Sequence, residues 1–341
     1  LRTVGEDYLE NLEQVRSHAD EIRREVRSYL PKQVQRVVLV GSGANYSQMF
    51  PVQRLMVGLD APVDCYVFSG GELERQMPPK IGSGSVVIGM SHSGNTTEIQ
   101  LALEAARSRG ATVFGVSKSM QSGLAQTAHY HYAYPNGSNM SEMKLLVLSW
   151  MMVAIADHAG STESGTVHSQ LGHLPAYLRD SHESYAAGAK QFADDHAGAP
   201  MIYSLACGGS YGAAYAFTLS KLMEMQWKDA ASVDAGEFFH GPLEVADGDR
   251  VFLLWAAGDA ASRQTYRVRD YLHQKGCAVH LVGTDKSYPV ESDAAQRLLS
   301  PFMLWPALNM YAWALEEATG HDLDKRRNMG QSGTEYPWAA K

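Results

Sequence analysis

Cysteine is scarce: Cys65, Cys207 and Cys277 are the only three in 341 residues, far apart and at no metal-ligand spacing. Odd in number and scattered, they supply no disulfide framework and fit a reducing compartment. Clustered basic charge is scarce too. The net charge is −8, and the longest Lys/Arg run is Lys325-Arg326-Arg327. That excludes bulk binding to nucleic acid or to an anionic membrane, so an anionic ligand must be held by a local site. No apolar run reaches bilayer length; the longest, Leu145 to Ala156, falls well short of about 20 residues. The first residues, Leu1-Arg2-Thr3-Val4-Gly5-Glu6, carry no apolar signal core. A cytoplasmic location is therefore expected, with neither a nucleic-acid nor a membrane partner. His92, His129 and His131 have no ligand partners at recognisable spacing, so no metal is expected.

What is present is apolar and periodic. An apolar fraction of 45% and a charged fraction of 19% describe a folded chain, and the length suggests about two domains. Residues 5 to 30 read as one charged surface helix with Leu9, Leu12, Val15 and Ile22 on one side. Buried-type strands are expected at Val37–Val40, Val63–Phe68, Ser85–Met90 and Thr112–Ser117, with helices between them. Helices and loops fill 141–198, and then the pattern returns. Met201 stands 164 residues after Val37, Arg250 stands 165 after Ser85, and Ala278 stands 166 after Thr112. A near-constant offset through three strands predicts a duplicated α/β domain with parallel sheets covered on both faces. Ligands of such sheets bind beyond the carboxyl ends of the strands.

The two copies differ where ligands would bind. The first carries Ser91-His-Ser93-Gly94-Asn95-Thr96 after its third strand; the aligned Ala256–Ala261 has lost the hydroxyls and gained Asp259. Hydroxyls and backbone N–H groups at a helix start suit a phosphate monoester. Simple N-capping, with Asn95 and Glu98 as a capping box, is the competing explanation. The loop is neither a P-loop nor a dinucleotide fingerprint. Only the second copy carries Glu224, the one acid in the apolar stretch Ala213–Trp227, and His240, sixteen residues later in Asp234-Ala-Gly-Glu237-Phe-Phe-His240-Gly-Pro-Leu-Glu244. Burial beside Met223, Met225 and Trp227 would raise the Glu224 pKa toward that of a general base; an ion pair with Lys221, or a partly exposed acid on a surface helix, is the alternative. His240 sits where a ring can reach a ligand, although loop histidines are more often solvated or structural. Glu237 and Glu244 are weaker candidates.

These motifs resemble a family. Strand-Gly-Ser-Gly, Ser91-x-Ser-Gly-x-Thr96 and Gly236-Glu-x-x-His-Gly-Pro-Leu243 occur in the order found in double sugar-isomerase (SIS) domain proteins, including the isomerase half of glucosamine-6-phosphate synthase. Leu222-Met-Glu-x-x-Trp227, Leu299-Ser-Pro-Phe302 and the tail Asp324-Lys-Arg-Arg-x-x-Gly330 with Glu335-Tyr336 are more similar to the fructoselysine-6-phosphate deglycases. The resemblance implies that Ser91, Ser93, Gly94, Asn95 and Thr96 hold the substrate phosphate, with Ser42 and Gly43 along the sugar. It implies Glu224 as general base and His240 as acid/base for ring opening, in its own site or across a dimer interface. Where the synthase has a tail lysine, an ungapped reading places Gln331, and no glutaminase segment supplies ammonia. A helix-turn-helix, as in SIS-domain regulators, has little room in the first 35 or so residues.

The reading is an α/β protein of two tandem SIS domains with a helical segment at 1–34, a first domain at 35–160, a connector at 161–198, a second domain at 199–318 and a tail at 319–341. It is expected to be a cofactor-free homodimer with a composite site. Its expected activity is cleavage of a 6-phosphorylated fructosamine to glucose 6-phosphate and an amine; Arg326, Arg327 and Gln331 are the candidates to contact the amine portion, with a solvated basic tail as the alternative for the two arginines. An aminosugar-phosphate isomerase or deaminase, and a non-catalytic sugar-phosphate sensor, are the alternatives.

Overall fold

The structure, a computed structural model, describes residues 1–137, 140–283 and 293–330. Gln331, Glu335 and Tyr336 lie outside the described residues.

Two parallel sheets carry the fold. The first contains β1 (Arg36–Gly41), β2 (Asp64–Ser69), β3 (Ser85–Met90), β4 (Thr112–Ser117) and β5 (Tyr130–Ala133), in the order β2-β1-β3-β4-β5. The second contains β6 (Met201–Ala206), β7 (Asp229–Asp234), β8 (Val251–Ala256) and β9 (Ala278–Gly283), in the order β7-β6-β8-β9. Each order reverses direction beside its first strand, which creates a crevice at the carboxyl ends of β1 and β3, and of β6 and β8. The central strands are apolar because both faces are covered: every residue of β3 and of β8 is buried.

The duplication is present in the register. Val37 pairs with Val86 in the first sheet, and Ile202 with Val251 in the second. Ile202, not Met201, is thus the counterpart of Val37, a one-residue correction to the sequence alignment of the first strands. It brings Gly43 (φ 59°) into equivalence with Gly208 (φ 63°), the left-handed glycines that turn each first strand into its helix.

Two strands were not legible in the sequence. β5 is a four-residue edge strand, and β7 begins and ends on aspartate. Neither offers the apolar run that reveals a central strand. The Asp234–Glu244 stretch therefore follows a strand directly, not a helix. The single helix expected over 5–30 is two, Asp7–Ser17 and Ala19–Tyr29, broken at His18. Tyr8, Leu12, Val15, Ile22 and Val26 are buried on one continuous side, against the helices Met140–His158 and Leu174–His196. Leu9 stays partly exposed while its neighbour Tyr8 takes the core position.

Helix Met140–His158 contains the run Leu145–Ala156, which is buried throughout. A helix apolar all round is one enclosed by its own protein, and among the described residues no helix is long and apolar enough to cross a membrane. The two copies meet where helix Ala44–Gly58 crosses helix Tyr211–Ala216. Gly212 allows the approach: a methyl group there would lie 2.5 Å from the Ser47 carbonyl oxygen and 2.9 Å from Pro51 Cδ. Tyr46, Phe50, Tyr211 and Tyr215 form an edge-to-face cluster across this junction.

Candidate active site

The loop Ser91–Thr96 leaves β3 at the first crevice. Gly41 and Met90 are paired in register, so Ser42 and Ser91 leave neighbouring strands side by side. Ser91 is fully buried; its hydroxyl accepts the Gly94 N–H at 3.1 Å and shares a 2.7 Å hydrogen bond with the Thr96 hydroxyl. The Ser93 hydroxyl accepts the Asn95 N–H at 3.1 Å. Gly94 is left-handed (φ 75°), and a methyl group there would lie 2.3 Å from Ser122 Cβ. No other residue fits this position without moving its neighbour.

The expected capping box does not form. The following helix, Thr97–Ser108, has Thr96 at its N-cap with no side-chain cap bond. Asn95 Oδ1 instead accepts the Gly123 N–H at 3.0 Å, and Glu98 Oε1 accepts the Ser42 hydroxyl at 3.1 Å. The Thr97 and Glu98 N–H groups donate to no protein acceptor among the described residues. The helix start thus keeps donors of the kind that bind an anion. The second copy differs: Asp259 Oδ1 accepts both the N–H (3.0 Å) and the hydroxyl (2.7 Å) of Ser262, which places an acid at the equivalent helix start.

Glu224 comes from an unusual element. Residues Phe217–Met225 wind as a π-helix, and the Gln226 N–H reaches the Lys221 carbonyl, five residues back, at 3.0 Å. Such segments concentrate at functional sites. Two residues on, Trp227 has φ 57°, the one positive φ outside glycine among the described residues, a strained geometry for a bulky side chain. The Trp227 ring packs edge-on against His321 at 4.4 Å and lies under the Arg327 guanidinium at 4.1 Å.

Of the alternatives for Glu224, the partly exposed acid is the one found, rather than the buried base. Its side chain is 30% exposed and Met223 is 43% exposed. The turn faces a cleft, and a distant residue partners the acid. Glu224 Oε1 accepts from Arg326 Nε at 3.1 Å, and Arg326 Nη2 stands in ion-pair contact with the same oxygen at 3.1 Å, so among the described residues Arg326 and not Lys221 is its ion-pair partner. Burial pushes the Lys221 ammonium below its usual pKa, opposed by the carboxylates of Glu142 and Glu224. The cleft, about 590 Å³, is lined by Gly43 of the first copy, by Leu219, Glu224 and Trp227 of the second, and by Arg326 and Arg327 of the tail. A methyl group on Gly43 would meet Leu219 Cδ2 at 3.9 Å, so the first loop faces the π-helix directly.

Of the residues singled out in the sequence, the fold brings Gly43, Glu224, Arg326 and Arg327 to one cleft. Ser42 sits next to it, joined through Glu98 to the Ser91–Thr96 crevice. His240 is elsewhere: it is exposed at the end of the short turn Phe238–His240 and is not part of the cleft lining. Its loop is anchored by the fully buried Phe238 and by Asp234 Oδ1, which accepts the Gly236 N–H at 2.7 Å. Glu237 and Glu244 are exposed. The other histidines weighed in the sequence have protein partners: His92 with Tyr134 (3.0 Å), His129 with the Val113 N–H (3.0 Å) and His131 with Ser117 (2.9 Å). Trp227 and Lys221 were not singled out as site residues, although one lies a turn before Glu224 and the other lines the cleft.

Residues 32–156 match the family model described as SIS domain. This segment, the first of the two copies, is a SIS domain. The chain is 29% identical to fructosamine deglycase FrlB of Bacillus subtilis (strain 168), over 90% of this chain and 96% of that protein. It is 25% identical to fructoselysine 6-phosphate deglycase of Escherichia coli (strain K12), over 96% of this chain and 95% of that one. A Bacillus subtilis structure described as a phosphosugar isomerase superimposes with a TM-score of 0.84 at 27% identity, covering 93% of this chain and 98% of that chain. The C-terminal domain of glucosamine-fructose-6-phosphate aminotransferase from Francisella tularensis shares the fold, with a TM-score of 0.74 at 15% identity over 92% and 98% of the two chains.

Proposed function

We propose that this SIS-domain protein is a deglycase that cleaves a 6-phosphorylated fructosamine, the Amadori adduct of an amino acid or amine, to glucose 6-phosphate and the free amine. The observation that carries the reading is the cleft in which Glu224 faces the Gly43 loop, beside the donor-rich crevice of Ser91–Thr96. The two deglycase relatives, similar over nearly their whole length, support it.

In this reading the phosphate lies at the Ser93–Thr96 loop against the helix start, with Ser91 holding the loop from beneath. The sugar runs past Ser42 and Gly43 toward Glu224. Once the ring is open, the Glu224 carboxylate takes a proton from C1. The C1–H electrons form the C1=C2 bond of an enaminol, and the C2 carbonyl oxygen gains a proton. Return of a proton to C2 leaves a C1=N imine. Water adds to C1, the C–N bond breaks with its electrons going to nitrogen, the amine leaves protonated, and C1 becomes the aldehyde of glucose 6-phosphate. One carboxylate within reach of two adjacent carbons suffices for both proton transfers. His240, exposed and away from this cleft, acts on ring opening in the site of a second copy.

The test is release of glucose 6-phosphate from fructoselysine 6-phosphate and fructose-asparagine 6-phosphate, with Glu224→Gln alongside. The variant should bind substrate and lose about 10²- to 10⁴-fold in kcat. Fructose 6-phosphate and ammonia from glucosamine 6-phosphate, with neither adduct cleaved, would make the protein a deaminase. No turnover of any of the three would leave a sensor.

A further inference from the structure

Arg326 is the most constrained cation of the cleft. Its Nη1 donates to the carbonyls of Leu323 (2.6 Å) and Lys325 (2.9 Å), so the tail backbone fixes one edge of the guanidinium. The opposite edge, Nε and Nη2, points into the cleft and closes on a single oxygen of Glu224. The other lining cations are turned to different tasks. Lys228 donates to the carbonyls of Ala197 (2.7 Å) and Ala199 (3.0 Å), and Arg327 lies over the Trp227 ring. Among the described residues, Arg326 thus presents the cleft with a guanidinium edge held from behind by backbone carbonyls, and that edge already holds a carboxylate.

We infer that Arg326 is a specificity-determining residue that receives a carboxylate on the amine portion of the substrate and in doing so releases Glu224 from its ion pair. The inference rests on the deglycase reading, with Glu224 acting at C1. Covalent geometry then places the recognised group. In an adduct formed through an α-amino nitrogen, the carboxyl carbon is three bonds from C1 (C1–N, N–Cα, Cα–C), a span of about 3.8 Å when extended, from standard bond lengths. That distance matches a guanidinium in direct contact with the acid that works at C1. Two parallel N–H···O bonds to both oxygens of an incoming carboxylate are stronger than the one hydrogen bond and one ion-pair contact now made to Glu224 Oε1. A planar fork, unlike a lysine, also selects for that geometry. The preferred substrate class is thus the N-glycated α-amino acid bearing a free carboxylate, over an adduct of a simple amine.

The experiment compares kcat/KM for the 6-phosphorylated fructosamines of glycine and of methylamine, which differ by one carboxylate. In the wild type, the glycine adduct should be favoured by about ten- to a hundredfold, the range of a charge-assisted contact. In Arg326→Gln that ratio should fall to near one, and Arg326→Lys should lie between. Because the reading is a ratio, partial loss of folded protein does not move it. A wild-type ratio near one, or an unchanged ratio in Arg326→Gln, would overturn the assignment. Calorimetric binding of the reduced, uncleavable conjugates of glucose 6-phosphate with glycine and with methylamine separates this inference from the reading beneath it. Discrimination that depends on Arg326, without turnover of either adduct, would sink the deglycase and keep the carboxylate receptor. Equal binding of the two conjugates would sink the receptor even if both adducts are cleaved.

Discussion

Gly94→Ala tests whether the Ser91–Thr96 loop is a rigid cradle, and its cost can be divided in advance. Two terms add. An alanine at φ 75° meets the left-handed penalty of about 1–2 kcal/mol. Its Cβ would also stand 2.3 Å from both Cβ and Oγ of Ser122 and 2.8 Å from Ser117 Oγ, an overpacking of about 1–3 kcal/mol. The single variant should therefore lose about 2–5 kcal/mol. Ser122→Gly alone removes the cap on the Ala125 N–H and the hydrogen bonds to Ser117 and Ser119, for about 1 kcal/mol. In Gly94→Ala/Ser122→Gly the clash with Ser122 is gone and the backbone term remains. The double variant should be more stable than the sum of the singles by about 1–3 kcal/mol. Urea unfolding at constant slope measures all four corners, and calorimetry with a phosphate monoester checks that binding follows the loop. Additivity within about 0.5 kcal/mol, or a nearly silent Gly94→Ala, would refute the close packing of Gly94 on Ser122.

Much of this fold is legible because the signal is local. Ser85–Met90 and Arg250–Trp255 are continuous apolar runs, and only a strand covered on both faces needs them. The duplication followed from their spacing. β5 and β7 were hidden because an edge strand takes its pairing from a neighbour and needs no apolar run of its own. The candidate site divides the same way. Residue type and order pointed to Gly43, Glu224 and the Ser91–Thr96 loop, since hydroxyls at a helix start and an acid in an apolar turn are visible locally. The surroundings of Glu224 were not. A π-helix turns the acid toward the cleft, and the partner that meets it, Arg326, is 102 residues away. Neighbour composition suggested burial; tertiary geometry gave an open cleft and an ion pair. The capping box failed for a related reason, because Asn95 bonds to Gly123 across the loop rather than within its own helix.

Three further perturbations follow from buried polar groups and glycines. Burial pushes the Glu142 carboxyl up to about 8 and the His182 ring, 3.8 Å away, down to about 4, so both are uncharged near neutrality. Stability should fall as pH rises from about 4.5, the unfolded carboxyl value, through 8, and separately as pH falls from about 6.5 toward 4. Glu142→Gln should abolish the alkaline loss and leave the acid one, and a thermal-midpoint series from pH 4 to 9 that keeps its alkaline slope in the variant would disprove the assignment. Two glycine-to-alanine changes should then differ in sign. Gly165 has nothing within 4 Å of a would-be Cβ and lies in helix Ser164–Leu171, so Gly165→Ala should stabilise by up to about 1 kcal/mol. Gly212→Ala drives a methyl group against the backbone oxygen of Ser47, which cannot swing aside as a side chain would. It should cost about 1–3 kcal/mol. Because that contact sets how the two copies meet, the same shift moves Gly43 relative to Leu219, and substrate turnover should fall more than the lost stability accounts for. A Gly212→Ala protein as stable and as active as the wild type would mean that the copies meet less closely than this helix crossing requires.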